Sequence, residues 1–384
     1  MLEDVQIGLG VTGSIAAVRT VELIHEFRRQ GADVRVVMTQ AAESIIDPWA
    51  LEFASDNPVI TEITGSVEHI DMFGQNGWAD IFVIAPSTAN TIAKIASSID
   101  DTPVTTCATT AIGSNIPLVI APAMHEPMFE HPGVLDAIDT LEDWNISFTD
   151  PRIEEGKAKI ATNEAIVLDV ARKIDPSPLS GKHIVITAGA TKEPIDPVRI
   201  LTNRASGKTG HALAKACYVY GADVTLIHEG KSVPYADGVS YSTTNDLQEA
   251  IFDNIQDADC FISTAAVGDF TVDTRAEKIS SGEEITLTLQ PTEKLLDSVR
   301  ERYPDLPIVG FKLESTNSDS EMIQEARNLL ERVDLSFVVA NNERVMGENT
   351  SRVLVVRDNS IREYQGSKGE IGRYIADEIV KIFE

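Results

Sequence analysis

TAGATKEPIDPVRILTNRASGKTG, residues 187–210, decides the fold of this chain. It continues HIVIT, residues 183–187, an apolar, β-branched run that suits a buried parallel strand. Ala188, Gly189 and Ala190 keep the following turn small, so the backbone can approach a ligand closely. A Pro-pinned loop, EPIDPVR, comes next, and Ser206-Gly207-Lys208-Thr209 opens a helix. Arg199, Asn203, Arg204 and Lys208 set donors and positive charge around that turn. Strand end, turn and helix start together can cradle an anion with backbone N–H groups. The Ser-Gly-Lys-Thr ending is shared with P-loops. The Walker pattern, however, needs a glycine five places before Gly207, and Thr202 stands there.

Outward from this stretch, strands and helices alternate twice. The first round has strands over 5–9, 33–38, 80–85 and 117–121, with helices over 14–30, 88–96, 128–141 and 164–172. Ile15, Val18, Ile24 and Phe27 carry the helical spacing of the first helix. The second round has strands over 183–187, 223–228, 260–264, 307–311 and 336–340, with helices over 208–220, 246–255, 319–332 and 368–383. Between them, DPSPLSG reads as a linker. The expectation is α/β architecture in two domains, residues 1–174 and 182–384 joined by linker 175–181. Each has a mainly parallel sheet and ligands at the strand carboxyl ends.

The 384 residues suffice for two full cores, and 43% apolar content is ordinary for globular proteins. No apolar run reaches membrane-span length, and MLEDVQIGLG lacks the basic start of a signal peptide; a cytoplasmic protein is expected. Cys107, Cys217 and Cys260 form neither a disulfide framework nor a metal pattern, and the seven histidines form no metal cluster. Sixty acidic residues against 32 basic give a net charge of −28, which argues against nucleic acid and anionic membrane as partners. It fits either adaptation to a high-salt cytoplasm or solubility by self-repulsion.

Residues 187–210, together with AAVGDF at 265–270, resemble the signature of the phosphopantothenate–cysteine ligases. The resemblance implies a Rossmann-like domain that activates a carboxylate as an acyl-nucleotide and releases it to the cysteine amine. It implies Asn203 at the acyl intermediate and Arg199 in its conversion. Lys278 would serve phosphate and catalysis; Gly189, Ala265, Ala266 and Asp269 would hold the nucleotide. Phe311, Lys312 and Asn341 lie in further site segments at strand ends. Mg²⁺ would ride on the triphosphate. CTP is favoured as the nucleotide, with ATP the alternative because GFKLE, residues 310–314, is closer to the eukaryotic form.

In the first half, Gly8-Leu9-Gly10-Val11-Thr12-Gly13 fits GxGxxG, but Thr39-Gln40 stands where a ribose-binding carboxylate belongs. TGSIAA, APSTANT, the Thr105-Thr106 run and PAMHEPMF resemble instead the homo-oligomeric flavin-containing cysteine decarboxylases, over residues 5–161. That implies a flavodoxin-like fold and FMN, with Gly13, Ser14, Thr39, Ser87 and Thr105 at the cofactor. His69 would be the catalytic histidine, and Met124, His125 and Met128 would belong to the substrate-carboxylate motif. Two departures stand out. His125 replaces an asparagine, and PRIEEGKAK, residues 151–159, has no flap cysteine. Lys157 or Lys159 is the expected substitute, supplying a proton or binding substrate phosphate.

The whole chain is thus similar to the bifunctional enzymes of coenzyme A biosynthesis, with phosphopantothenate, L-cysteine and CTP or ATP as partners. Trimer-based homo-oligomers, up to dodecamers, are implied. The alternative is an active ligase fused to an FMN domain that stops at the enethiol or serves only regulation.

FMN, phosphopantothenate and the nucleotide are anions, and the chain repels them at long range. Salt screens that repulsion over about 10 Å at 0.1 M. Ligase kcat/KM is therefore expected to rise with KCl from low salt to well beyond ordinary buffer strength. A monotonic fall in steady-state assays across a KCl series contradicts this.

Overall fold

In the first unit, Met1–Asp175, the strand Gln6–Val11 sits inside a five-stranded parallel sheet. It pairs with Asp33–Met38 on one side and Ile81–Ser87 on the other. Leu118–Pro122 and Ser147–Phe148 extend the sheet. Numbered along the chain, the sheet strands run 2-1-3-4-5, the flavodoxin-like order. Ile7, Leu9, Val36, Phe82, Val83 and Ile84 are fully buried, as continuous apolar strands between two helical layers require. The computed structural model describes residues 1–154, 157–280, 282, 284–314, 318–342 and 350–384.

The expected single helix over 14–30 is divided. A 3₁₀ turn, Ile15–Arg19, precedes the α-helix Thr20–Arg29. Ser14 caps the turn, and its carbonyl accepts the Ala17 N–H at 2.8 Å. The tighter three-residue turn rotates the first residues off the α-helical stripe. Ile24 and Phe27 face the core, whereas Ile15 is 78% and Val18 54% exposed. The helix expected over 128–141 is likewise two, Glu126–Phe129 and Pro132–Asp143. Pro132 has no N–H to continue the first and is well placed to start the second.

The second unit, Pro176–Glu384, is built on an eight-stranded sheet. Its strands are His183–Ala188, Asp223–His228, Asp237–Val239, Cys260–Ser263, Ile308–Glu314, Phe337–Asn342, Thr350–Arg357 and Ser360–Ser367. Their order is 3-2-1-4-5-6-7-8, with the first six parallel and the last two added as an antiparallel hairpin. Strands 3-2-1-4-5-6 are the Rossmann order. The chain reverses between His183–Ala188 and Cys260–Ser263, which is where such sheets open a ligand crevice. Among the described residues, no helix is long and apolar enough to cross a membrane.

The final helix, Lys368–Phe383, packs on the helix Lys208–Val219. At Gly372 a Cβ would stand 2.6 Å from the Ala212 carbonyl oxygen, so only glycine permits this contact. Glu378, 1% exposed, ties the same helix to the hairpin through Arg357 and Arg362, and pairs with Lys381 one turn along its own helix. Burial alone would raise the Glu378 pKa; the hydrogen bonds from Lys381 and Arg357 outweigh it and hold the carboxyl below its ordinary value. The stabilisation is therefore complete above the unfolded value of about 4.3 and is lost as pH falls through the lower native value. Glu378→Gln is expected to destabilise this unit by about 3 kcal/mol at pH 7, because the cations lose a buried partner. Urea unfolding at several pH values checks this, and the gap to wild type should shrink below about pH 4.

Candidate active sites

The crevice of the second unit has a volume of about 490 Å³. Its floor is a contact that side chains cannot enter. Gly207, at φ +70°, caps the helix Lys208–Val219, and a Cβ there would meet the Gly189 amide nitrogen at 3.0 Å. One turn on, a Cβ at Gly210 would lie 2.4 Å from Thr264 Oγ1 and 2.6 Å from Ala188 Cβ. Helix and strand ends therefore touch backbone to backbone, and the first amides of the helix face the crevice.

Hydrogen bonds knit the two loops at the reversal point. The Ala266 amide donates to the Gly189 carbonyl at 2.9 Å, and the Ala265 amide to Thr187 Oγ1 at 3.2 Å. Asn203 joins the third loop: its Nδ2 donates to the Ala266 carbonyl at 2.8 Å, and its Oδ1 accepts the Ala205 amide at 3.0 Å. The Gly268 amide donates to Thr191 Oγ1 at 2.8 Å, while Thr292 donates to the Gly268 carbonyl at 2.6 Å.

Lys208, Lys294, Lys312, Arg332 and Lys368 line this crevice against Asp269 and Glu293, with Arg332 already paired to Asp297, so four lysines face two carboxylates. In a chain of net charge −28 that local excess makes an electropositive cleft in an acidic molecule. Of the residues expected at the ligase site, Gly189, Asn203, Ala265, Ala266, Asp269, Phe311, Lys312 and Asn341 all line it. Arg199 and Lys278 do not. Arg199 lies in the loop between the short paired strands Lys192–Pro194 and Ile200–Thr202, and Lys278 is exposed beside buried Ile279.

In the first unit, the carboxyl ends of the strands are similarly tied together. Thr12 Oγ1 donates to the Pro86 carbonyl at 2.8 Å and accepts the Thr88 amide at 3.2 Å. Ser14 Oγ donates to the Ala123 carbonyl at 3.2 Å, and the Ala123 amide to the Ser87 carbonyl at 2.9 Å. A Cβ at Gly13 would stand 2.5 Å from Ala41 Cβ, so the turn carrying Ser14 lies against the helix that Thr39 caps. Ser87 Oγ is buried at the end of its strand with no hydrogen-bond partner, and so is His69 Nδ1 in the helix Glu68–Phe73. A buried polar atom left unpaired costs about 1–3 kcal/mol, so a hydrogen-bonding group brought to either atom would be stabilised there. Thr105 is buried and engaged in the capping box with Thr102 at the start of Pro103–Gly113.

The segment expected to replace the flap pairs onto the segment expected to form the substrate-carboxylate motif. The strand Lys157–Lys159 lies between Met124–His125 and Arg152–Glu154 in a three-stranded antiparallel sheet. His125 stands directly opposite Lys157 and Met124 opposite Ala158. Directly opposed residues share a face of the sheet, so His125 and Lys157 lie side by side on one face. Met128 is 48% exposed nearby in sequence.

A flavoprotein family model matches residues 1–175, and the model of the DNA/pantothenate metabolism flavoprotein C-terminal domain matches residues 179–383. The coenzyme A biosynthesis bifunctional protein CoaBC of Thermococcus kodakarensis is 45% identical over 384 residues, covering 98% of this chain and 95% of the relative. The chain belongs to the CoaBC family. The Methanocaldococcus jannaschii CoaBC protein is 36% identical over 388 residues, covering 100% of this chain and 95% of its own. A solved C-terminal domain of a CoaBC protein is 29% identical with a TM-score of 0.46, covering 54% of this chain and 98% of that one.

Within this CoaBC chain, sequence reasoning passed over Lys294, Arg332 and Lys368. Lys368 had a signal. Ser367 and Glu370 form a capping box, which fixes where the helix starts and hence where Lys368 points its backbone. Lys294 caps Leu295–Arg302 and lies 3.6 Å from Asp269. Apart from that helix start at Lys368, neither lysine differs in sequence from the many on solvated faces, and only the fold brings them to the crevice.

Proposed function

We propose that the chain joins cysteine to 4'-phosphopantothenate in its second unit and decarboxylates the product to 4'-phosphopantetheine in its first. The observation that carries the ligase reading is the electropositive crevice at the strand-order reversal, ringed by the ligase-signature residues. The four lysines there suit a nucleoside triphosphate, CTP in preference to ATP, entering with Mg²⁺. The helix start at Gly207–Lys208 receives phosphate oxygens through its amides. The phosphopantothenate carboxylate attacks the α-phosphorus, pyrophosphate leaves, and the cysteine amine displaces the nucleotide. Lys208 and Lys312 stabilise the charge that develops on the phosphorus oxygens. Asn203, held by Ala266 and Ala205, orients the loop on which the acyl group lies.

The first unit fits FMN: Ser87 Oγ and His69 Nδ1 are buried and unpaired, and the turn of Gly13–Ser14 packs against Ala41 at the strand ends. Ser14, Thr39 and Ser87 would hold it. When bound, FMN supplies the hydride acceptor and donor that makes loss of CO₂ from the cysteinyl carboxylate accessible. His69 holds or moves a proton at its imidazole, and His125 with Lys157 receives the substrate carboxylate. Lys157 takes the place of the flap cysteine.

The direct test is mass spectrometry of products from FMN-loaded protein given phosphopantothenate, cysteine, Mg²⁺ and CTP or ATP. A phosphopantetheine mass supports both activities and names the nucleotide, whereas an enethiol mass overturns the complete decarboxylation. Asn203→Ala is expected to lower ligation by about 100-fold or more while sparing decarboxylation of supplied phosphopantothenoylcysteine, and His69→Asn to do the reverse.

The same reading makes the protein a cytoplasmic homo-oligomer, built on trimers. Trp49 and Phe53 are 80% and 84% exposed on the helix Pro48–Ser55, and exposed apolar side chains of this size mark contact surfaces. Light scattering of the purified chain should give a mass that is a multiple of three copies; a monomer mass overturns this.

A further inference from the structure

Asp196 lies in the loop of EPIDPVR, yet its carboxylate is fully buried. It accepts four hydrogen bonds. Oδ1 takes the Val198 and Arg199 amides, each at 2.8 Å. Oδ2 takes the Arg199 guanidinium through Nη1 and, from 83 positions along the chain, the Ile279 amide at 3.1 Å. Two more bonds run alongside: Thr274 Oγ1 donates to the Pro194 carbonyl and the Arg275 amide to the Ile195 carbonyl, both at 2.9 Å. The segment carrying Lys278 is therefore fastened along the loop carrying Arg199, and Asp196 is the fastening next to both cations.

We propose that Asp196 is a positioning residue of the ligase reaction, whose carboxylate holds Arg199 and Lys278 in one fixed arrangement. This rests on the reading that those two cations serve ligation. The division of labour between the oxygens supports it. A loop staple needs only Oδ1, which closes the turn at Val198 and Arg199 as acidic side chains commonly do. Oδ2 is committed to the cation and to the distant segment. Its bond through Nη1 anchors one arm of the guanidinium fork beside the loop, which restricts where the other donors can reach. All four partners are N–H groups, and an asparagine would turn its own N–H₂ on two of them. Burial alone would raise the Asp196 pKa. The amides of Ile279, Val198 and Arg199, with the guanidinium, outweigh it and hold the carboxyl well below the usual carboxylate range.

The test is a mutant cycle in the full-length, FMN-loaded chain. Asp196→Asn is expected to lower the ligase kcat about 100-fold, the cost of a small misplacement of reacting groups. Decarboxylation of supplied phosphopantothenoylcysteine should stay at the wild-type rate. In a chain that already carries Arg199→Ala and Lys278→Ala, Asp196→Asn should change ligation less than twofold, because it has nothing left to position. A general structural role would cost the same factor in both backgrounds, and that result overturns the proposal. Should Asp196→Asn fail to fold, Asp196→Ser, which keeps an oxygen for the loop amides, carries the same expectation through the same cycle. If Arg199→Ala and Lys278→Ala both ligate at the wild-type rate, the reading beneath the proposal falls and the proposal with it. If they are slow while Asp196→Asn ligates normally, the proposal alone falls.

Discussion

The ligase half depends on one steric constraint: the backbone at Ala188–Gly189 and the backbone at Gly207–Gly210 must touch. A single added methyl at Gly210 would overlap Thr264 and Ala188, so the helix could not descend to its place. With that contact made, the Thr264–Asp269 loop hangs from Thr187 and Gly189, and Asn203 hangs from Ala266. The crevice is a consequence of this contact. It lies where the sheet order reverses, and the loops that wall it are bonded to each other more than to anything else.

Charge then decides what the crevice admits. The molecule as a whole repels anions, but the fold draws Lys208, Lys294, Lys312 and Lys368 from four separate stretches of sequence to one opening. The surface carries the acid, and the site carries the base. Long-range repulsion and short-range attraction are separable because they act over different lengths, one screened by salt and the other by contact with the ligand. The three thiols stand apart from this chemistry: all are buried, and burial pushes Cys107 and Cys260 up to about 12, which leaves them unreactive.

Much of the fold was legible because buried parallel strands announce themselves. HIVIT, DVTLIH and DVRVVM became strands at almost the expected bounds, since each needs only its own apolar, β-branched run. The hairpin Thr350–Arg357 and Ser360–Ser367 went unread although Asp358-Asn359 offered a turn between two runs. The paired strands Lys192–Pro194 with Ile200–Thr202, and Phe270–Val272 with Leu289–Pro291, are three residues long and exist only because of pairing. Ile15 and Val18 misled because periodicity cannot distinguish a 3₁₀ turn that ends facing solvent. Among site residues, those inside a continuous signature were readable. Asp196 was inside one too, but its partner at Ile279 is visible only in three dimensions.

The last helix carries a consequence for how the protein comes into being. Lys368 opens that helix, and Glu378 and Gly372 lock it onto the sheet and onto the helix that starts at Lys208. The first unit has every strand of its parallel sheet by Phe148 and its closing helix by Ile174, so a growing chain can complete it while the ribosome is still at work on the remainder. The ligase crevice cannot close until the helix Lys368–Phe383 has also been made. A growing chain thus completes the unit that matches the flavoprotein family before the unit whose crevice the ligase signature lines.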